Sequence, residues 1–126
     1  FILSANKALL PGGFLFTVRD HVVSNEFQKN IFLKKHPLHK FYGGENAYTL
    51  KEYLNSFSKN SFGVEKILKP SSTAINYHPW SIDRVKSKLP YFLRNIFIVK
   101  IIFLILKLRM NFQSGRLYSF ILRKKA

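Results

Sequence analysis

The spacing of apolar and polar residues predicts that the chain opens with a helix, a turn and a strand. Residues 1–10 carry apolar side chains at helical spacing, and Pro11-Gly12-Gly13 breaks the backbone after them. Residues 14–18 form an aromatic and β-branched run, which is typical of a buried strand, and Val22 and Val23 can extend it. The first structural unit is therefore predicted to be helix, turn, strand.

The next segments alternate between helix and loop. Ser24 or Asn25 is a suitable N-cap for a helix over 26–34, and residues 36–48 contain too many breakers to predict regular structure. Thr49 and Glu52 have the spacing of a capping box, which predicts that a helix over 50–59 follows the loop.

Two further strands are predicted, with a long excursion between them. Residues 62–68 alternate apolar and polar side chains, and residues 116–122 form a second run that follows a Ser-Gly turn. Between them the chain starts as a polar loop and is predicted to become helical from about Ile82. We find no internal repeat.

The most apolar stretch lies within this excursion, at residues 96–106, where only Lys100 is charged. A bilayer-spanning helix needs about 20 apolar residues, so we do not expect a transmembrane span. On a helical wheel a narrow stripe lines up on an otherwise apolar helix: Lys86, Leu93, Lys100, Lys107 and Asn111. Such a helix suits a membrane interface or another protein surface, and it equally suits packing on its own domain with the lysines in solvent.

Composition narrows the class of protein. The chain has 126 residues and 47% hydrophobic residues, enough for one domain with a modest core. It has no cysteine, which excludes disulfides, a thiolate zinc site and a cysteine nucleophile, and we predict no metal site. The net charge of +15 is compatible with an anionic partner, although an AT-rich coding bias that adds solvent-exposed lysine is the preferred explanation.

Polar side chains follow the first predicted strand. Arg19, Asp20 and His21 come at its carboxyl end, which is where open α/β sheets place their ligands. A neutral imidazole can remove a proton near pH 7, so His21 is the first candidate for a general base or substrate orienter, with Asp20 or Glu45 holding its tautomer. The alternative is that His21 is a structural residue at a strand end.

The order of elements resembles the C-terminal half of a class I S-adenosylmethionine-dependent methyltransferase. Leu10-Pro11-Gly12-Gly13 with residues 14–18 looks like the turn and fifth strand of that Rossmann-like sheet. Phe62-Gly63-Val64 and Gly115-Arg116-Leu117-Tyr118 look like its sixth strand and its antiparallel seventh strand. The resemblance implies an α/β fold in which residues 1–126 are a partial methyltransferase domain, with 71–115 as a helical insertion between the last two strands.

A narrower likeness connects four short segments with bacterial methyltransferases that decorate surface polysaccharides and related structures. It implies transfer of a methyl group to a small-molecule or saccharide acceptor. The segments are Arg19-Asp20-His21, His36-Pro37-Leu38-His39, residues 42–48 and Ile75-Asn76-Tyr77. The catalytic residues that we predict from them are His21 and Asp20, and the predicted substrate-binding residues are Arg19, His39, Tyr42, Gly43, Gly44, Glu45, Asn46, Asn76 and Tyr77.

The resemblance also implies S-adenosylmethionine as the cofactor, but its main binding motif is missing. In this family the cofactor rests on a glycine-rich turn after the first strand, and an acidic residue ending the second strand holds its ribose. The resemblance covers half of the family's domain and lacks both features. We therefore expect a fragment that supplies the substrate side and does not bind the cofactor by itself.

The alternative function is a basic peripheral membrane protein or nucleic-acid-binding protein without catalysis. Nucleic acid is the weaker of the two, because the basic residues are dispersed and no known binding motif is present. An anionic membrane surface, contacted through residues 93–109, is compatible with methyl transfer to a lipid-linked acceptor. We expect a cytoplasmic location, and the alternative is peripheral attachment to the inner face of the membrane.

Overall fold

The computed structural model describes residues 1–42, 46–77 and 80–126, and these form a mixed α/β fold. The described residues contain six α-helices and a four-stranded mixed sheet. The helices are α1 (Ile2–Ala8), α2 (Glu26–Lys35), α3 (Pro37–Tyr42), α4 (Leu50–Lys59), α5 (Ile82–Lys88) and α6 (Ile96–Arg109). The strands are β1 (Phe14–Val23), β2 (Tyr48–Thr49), β3 (Phe62–Leu68) and β4 (Arg116–Lys124).

The sheet has the strand order β2-β1-β4-β3. The short strand β2 pairs in parallel with the last two residues of β1. Strand β4 runs antiparallel to both of its neighbours, with Phe14 of β1 opposite Arg123 and Phe62 of β3 opposite Lys124. Strands β1 and β3 are therefore parallel to each other, and the antiparallel β4 separates them.

Strand β1 contains a β-bulge near its carboxyl end. Thr17 lies opposite Phe120 and Asp20 lies opposite Tyr118, so β1 has one more residue than β4 between these two pairs. Arg19 accommodates the extra residue with a φ of 64°, in the left-handed region that non-glycine residues seldom adopt. As a result, Asp20 points to the same face of the sheet as Thr17, whereas regular alternation would place the two on opposite faces.

The hydrophobic core lies on one face of the sheet, which we call the core face. Helix α4 contributes Phe57 to it, and Ile2 and Leu9 pack against it from the segment around α1. The buried members of this cluster are Val22, Phe57, Phe62, Tyr118, Phe120 and Leu122. On the opposite face, which we call the open face, Phe14, Phe16 and Val18 remain exposed.

Several predicted elements are confirmed. Helix α4 has the predicted bounds, and its capping box is present: the Thr49 hydroxyl accepts from the Glu52 backbone N–H at 3.2 Å, and the Glu52 carboxylate accepts from the Thr49 N–H at 2.7 Å. Asn25 is the N-cap of α2, since its side chain accepts from the Gln28 N–H. The predicted strand over 62–68 coincides with β3, and α5 begins at Ile82 as predicted.

The prediction of an irregular loop over 36–48 is wrong in its first half. Residues Pro37–Tyr42 form the helix α3. Proline is compatible with the first turn of a helix because its missing N–H has no partner there in any case. Pro37, one of the residues on which the loop prediction depends, therefore lies at the start of α3, where a helix tolerates proline.

The predicted basic stripe does not form one surface. Lys86 belongs to α5 and Leu93 to a 3₁₀ turn, while Lys100 and Lys107 lie on α6. Helix α5 ends before Pro90, so the helical wheel on which these residues line up does not continue across residues 89–95. None of the helices among the described residues is long and apolar enough to cross a membrane.

Candidate active site

Strand β1 continues through Asp20 and His21, so the alternation of a strand divides these polar residues between the two faces of the sheet. Asp20 lies on the core face with Thr17, opposite the buried Tyr118. His21 follows it in the strand opposite Leu117 and therefore points to the other face. The sequence predicts one cluster at this strand end, and the structure instead forms two separate environments.

Asp20 borders a cavity of about 660 Å³ between the end of β1 and helix α4. Thr17 Oγ1 and Asp20 Oδ2 are both buried, and neither has a hydrogen-bond partner among the residues that the structure describes. Buried polar atoms are nearly always paired, because an unpaired one costs about 1–3 kcal/mol. The remaining polar lining comprises Asn46, Tyr48, Glu52, Tyr53, Ser56 and Asn60, and Phe1 and Phe57 add apolar aromatic surface. We call this the Asp20 cavity, and its two unpaired oxygens are able to accept hydrogen bonds.

Two tyrosines supply the aromatic wall of the Asp20 cavity. The Tyr48 and Tyr53 rings meet edge to face with centroids 5.6 Å apart. The Tyr48 hydroxyl accepts a hydrogen bond from the Asn46 amide at 2.7 Å, and Lys29 Nζ lies 4.8 Å from the centre of the Tyr48 ring. The cavity therefore combines acidic and hydroxyl acceptors with flat apolar surface.

Burial raises the pKa of the Tyr53 phenol well above its ordinary value, and the negative charge of Asp20 adds to this effect. The Tyr53 hydroxyl donates to the His21 carbonyl at 3.4 Å, so the neutral form has a role in the fold. In the neighbouring capping box, the hydrogen bonds from Thr49 lower the pKa of Glu52. The phenol is thus kept protonated beside a carboxylate, where it can donate or accept.

The pKa of Tyr53 predicts a loss of stability in alkali. Above the pKa of a free tyrosine, about 10, the unfolded chain loses the phenol proton while the folded chain retains it, so stability falls as the pH rises. Tyr53→Phe should remove part of this loss. The free energy of unfolding of the variant minus that of the wild type should therefore be larger at about pH 11 than at about pH 8. Urea unfolding at the two pH values measures it. Tyr91→Phe, at a highly exposed tyrosine, is the control, and an unchanged difference for Tyr53→Phe would contradict the prediction.

His21 packs into an aromatic cluster on the open face. Its ring centroid lies 4.7 Å from that of Phe32 and 5.3 Å from that of His36. Nδ1 lies 3.0 Å from the Gly115 carbonyl oxygen, and because a carbonyl can only accept, Nδ1 is the nitrogen that carries hydrogen. The prediction that Asp20 fixes this tautomer is wrong, since consecutive residues of a strand point to opposite faces and the Gly115 backbone carbonyl takes that role.

Arg19 contributes to a second, smaller cavity of about 310 Å³ on the open face. Its neighbours there are Thr73, Ala74, Ile75, Leu117 and Ser119. The Arg19 backbone N–H donates to the Ser119 hydroxyl at 3.2 Å, which holds the bulge against β4. Arg19 and Asp20 are therefore adjacent in sequence but line different cavities.

Asn76 has a structural role in place of the substrate-binding role that we predict from the sequence. The side chain is 3% exposed. Its amide nitrogen lies within hydrogen-bond distance of Pro70 O, Thr73 Oγ1 and Leu117 O, and its Oδ1 accepts from the Leu117 N–H at 2.9 Å. Both ends of the amide are engaged in tying the 3₁₀ segment to β4.

Tyr77 likewise packs away from the Asp20 cavity. Its ring meets Phe103 of α6 edge to face at 5.6 Å, and Lys107 Nζ lies 5.4 Å from its centre. These contacts fasten α6 to the segment that precedes α5. The substrate-binding prediction for Tyr77 is not supported by its position.

The remaining predicted substrate residues fall in or beside the segment after α2. Asn46 lines the Asp20 cavity. Tyr42 is highly exposed at the end of α3, and His39 lies on the same helix. The predicted substrate-binding residues Gly43, Gly44 and Glu45 lie outside the described residues.

Of the residues that line the Asp20 cavity, the sequence-based prediction includes only Asp20 and Asn46, and it misses Thr17 and Tyr53 among others. Thr17 is the one polar residue within the apolar run 14–18, and that exception was the available signal. Tyr53 lies on the apolar face of α4 and reads as an ordinary core residue, so only the geometry reveals its hydroxyl group beside the end of β1.

No group of three or more metal-ligating side chains occurs within residues 1–42, 46–77 and 80–126. None of the glycines in these residues follows the carboxyl end of a strand: Gly12 and Gly13 precede β1, Gly63 lies within β3, and Gly115 precedes β4. In comparisons with known proteins, no protein-family model matches the chain, and no curated protein matches it either.

Proposed function

We propose that this chain is the substrate-side half of a class I S-adenosylmethionine-dependent methyltransferase domain, acting on a small-molecule or saccharide acceptor. The observation that carries the proposal is the position of β4, which lies between β1 and β3 and antiparallel to both. In methyltransferases of this class the final strand is likewise inserted, in the opposite direction, between the fifth and sixth strands. With β1, β3 and β4 as these three strands, the chain has the C-terminal half of the Rossmann-like sheet.

The exposed surfaces of the sheet support the same proposal. Strand β2 pairs only with Val22 and Val23, so the rest of that edge of β1 has no partner strand among the described residues. The open face beside this edge carries the exposed side chains of Phe14, Phe16 and Val18. A further strand pairing with this edge, and helices covering this face, would complete a doubly wound sheet.

The described residues do not fit a binding site for the cofactor. The turn that contains Gly12 and Gly13 lies at the amino end of β1, where the Gly12 N–H donates to the Lys124 carbonyl at 2.9 Å. Open α/β sheets bind nucleotides at the carboxyl ends of their strands, at the opposite end of β1. The roles that we propose for these residues are therefore confined to the acceptor.

The Asp20 cavity is the acceptor site in this proposal. An acceptor hydroxyl that donates to Asp20 Oδ2 satisfies the unpaired buried oxygen, and a second donor satisfies Thr17 Oγ1. Removal of the hydroxyl proton during methyl transfer is general-base catalysis, for which a carboxylate within hydrogen-bond reach is suited. Tyr48 and Tyr53 contribute flat surface against which a ring can lie.

The test is methyl transfer by the natural protein that carries this sequence. The protein is incubated with S-adenosylmethionine labelled in its methyl group and with separate panels of nucleotide sugars, oligosaccharides and phenols. We expect label in at least one acceptor panel, at an oxygen atom. A folded protein that labels no acceptor in any panel contradicts the proposal.

A further inference from the structure

The outward side of helix α6 is an apolar surface without a partner among the described residues. Five large side chains on it are between 48% and 72% exposed: Phe97, Ile101, Leu104, Ile105 and Leu108. At 100° per residue they lie within an arc of about 100° on the helix. We call this arc the α6 apolar face. The inward side differs, since Val99 is fully buried and Phe103 packs on Tyr77.

Basic residues border the α6 apolar face, and the nearest acidic residue in the sequence before it is Asp83 of α5. Lys100 flanks the arc on one side and Arg109 on the other, both on the same helix. From Arg84 to the last residue the sequence has eleven lysines and arginines and no aspartate or glutamate. A partner that covers this surface must therefore combine an apolar interior with negative charges at its edge.

The chain before α6 has the composition of a membrane-interface segment. Tyr91 and Phe92 are 88% and 77% exposed in the turn that leads into the helix. Aromatic side chains concentrate at the level of lipid headgroups, where an apolar ring meets polar surroundings. Helix α6 has 14 residues, about 21 Å, too short to span a bilayer but long enough to lie along its surface.

We infer that the α6 apolar face docks the protein on a membrane surface that carries anionic phospholipids. Phe97, Ile101 and Leu104 enter the boundary between headgroups and acyl chains, while Lys100 and Arg109 stay at the level of the phosphates. The basic residues favour membranes with anionic lipids, and burial of the apolar side chains in the lipid keeps the protein bound. This attachment does not depend on methyl transfer, and it holds whether or not the protein is an enzyme.

The first measurement is flotation with vesicles of phosphatidylcholine that contain about 30% phosphatidylglycerol, compared with phosphatidylcholine alone. We expect the wild-type protein to float with the anionic vesicles and to stay mostly unbound with the neutral ones. A protein of charge +15 can adsorb to anionic vesicles through charge alone, so a variant with unchanged charge decides the matter.

That variant is Phe97→Gln/Ile101→Gln/Leu104→Gln, which keeps the net charge and uses a residue that helices accept. We expect its partition coefficient on anionic vesicles to fall about tenfold or more, because three apolar side chains no longer enter the lipid. The matched control is Leu10→Gln/Phe27→Gln/Phe41→Gln, at three large apolar side chains that are 69–81% exposed elsewhere on the molecule. It should float like the wild type, and circular dichroism should show both variants folded.

Three outcomes overturn the inference. The wild type fails to float with anionic vesicles, or the α6 variant floats as well as the wild type, or the control variant loses as much binding as the α6 variant. The remaining alternative is that a second copy of the chain packs on the α6 apolar face, and analytical ultracentrifugation tests this by measuring the oligomeric state. A dimer that the α6 variant dissociates, together with no vesicle binding, assigns the surface to self-association instead.

Discussion

Asp20→Asn is expected to lower methyl transfer by the natural protein about 10²- to 10⁴-fold, because the amide cannot take the proton of an acceptor hydroxyl. The same change should leave stability unaltered or slightly raised. Asp20 Oδ2 is buried without a partner among the described residues, and a neutral amide in its place relieves the cost of an unpaired carboxylate oxygen. Loss of activity without loss of stability distinguishes a binding residue from a structural one.

Two variants serve as comparisons for Asp20→Asn. Asp83→Asn changes an exposed aspartate in the first turn of α5 and should leave the rate unchanged. His21→Asn keeps a side-chain N–H near the Gly115 carbonyl but has no basic nitrogen, and it should reduce the rate less than about tenfold if His21 is structural. A fully active Asp20→Asn protein with an inactive His21→Asn protein would transfer the role of general base to His21.

The largest expected effect on stability is that of Phe120→Ala, about 3–5 kcal/mol in the free energy of unfolding. Phe120 is fully buried at the centre of the core face, and its ring meets the rings of Tyr53, Phe57 and Tyr118 at centroid distances from 5.1 to 6.3 Å. These partners come from α4 and from β4 itself, so truncation leaves a cavity that no single element can close. Urea unfolding monitored by circular dichroism measures the loss.

Phe27→Ala is the matched control for this core substitution. Phe27 lies on α2, outside the core cluster, and it is 69% exposed. Its loss should change stability by less than about 1 kcal/mol. Equal destabilisation by the two substitutions would contradict the central position of Phe120 in the core.

The elements that could be predicted from the sequence are those whose signals are local. The capping box of Thr49 and Glu52 specifies where α4 begins, because the two residues satisfy each other's backbone N–H groups. Alternation identifies β3, and an aromatic run identifies the start of β1. Each of these depends on neighbours within about four positions along the chain.

The candidate site could be predicted only in part, because its arrangement depends on long-range pairing. The sequence places Asp20 at a strand end, but the bulge that turns it towards α4 arises from the register between β1 and β4. Asn76 is the opposite case, a predicted site residue whose side chain is used by the fold. An asparagine among tyrosine and histidine suggests a binding loop, yet its amide is used by Leu117, 41 residues further along the chain.

The extra residue in β1 also bears on how such a site can change over evolutionary time. Substitution alters what a side chain is, whereas gain or loss of one residue within a strand alters which side chains face a given cavity. The bulge requires a left-handed backbone conformation at Arg19, which is unfavourable for a residue with a side chain. The hydrogen bond from the Arg19 N–H to the Ser119 hydroxyl offsets part of this cost. At this position the bulge absorbs such a change: a lineage that lost Arg19 would recover regular alternation with Thr17 and Asp20 still opposite Phe120 and Tyr118, so the length of this strand segment can vary while the carboxylate stays in the cavity.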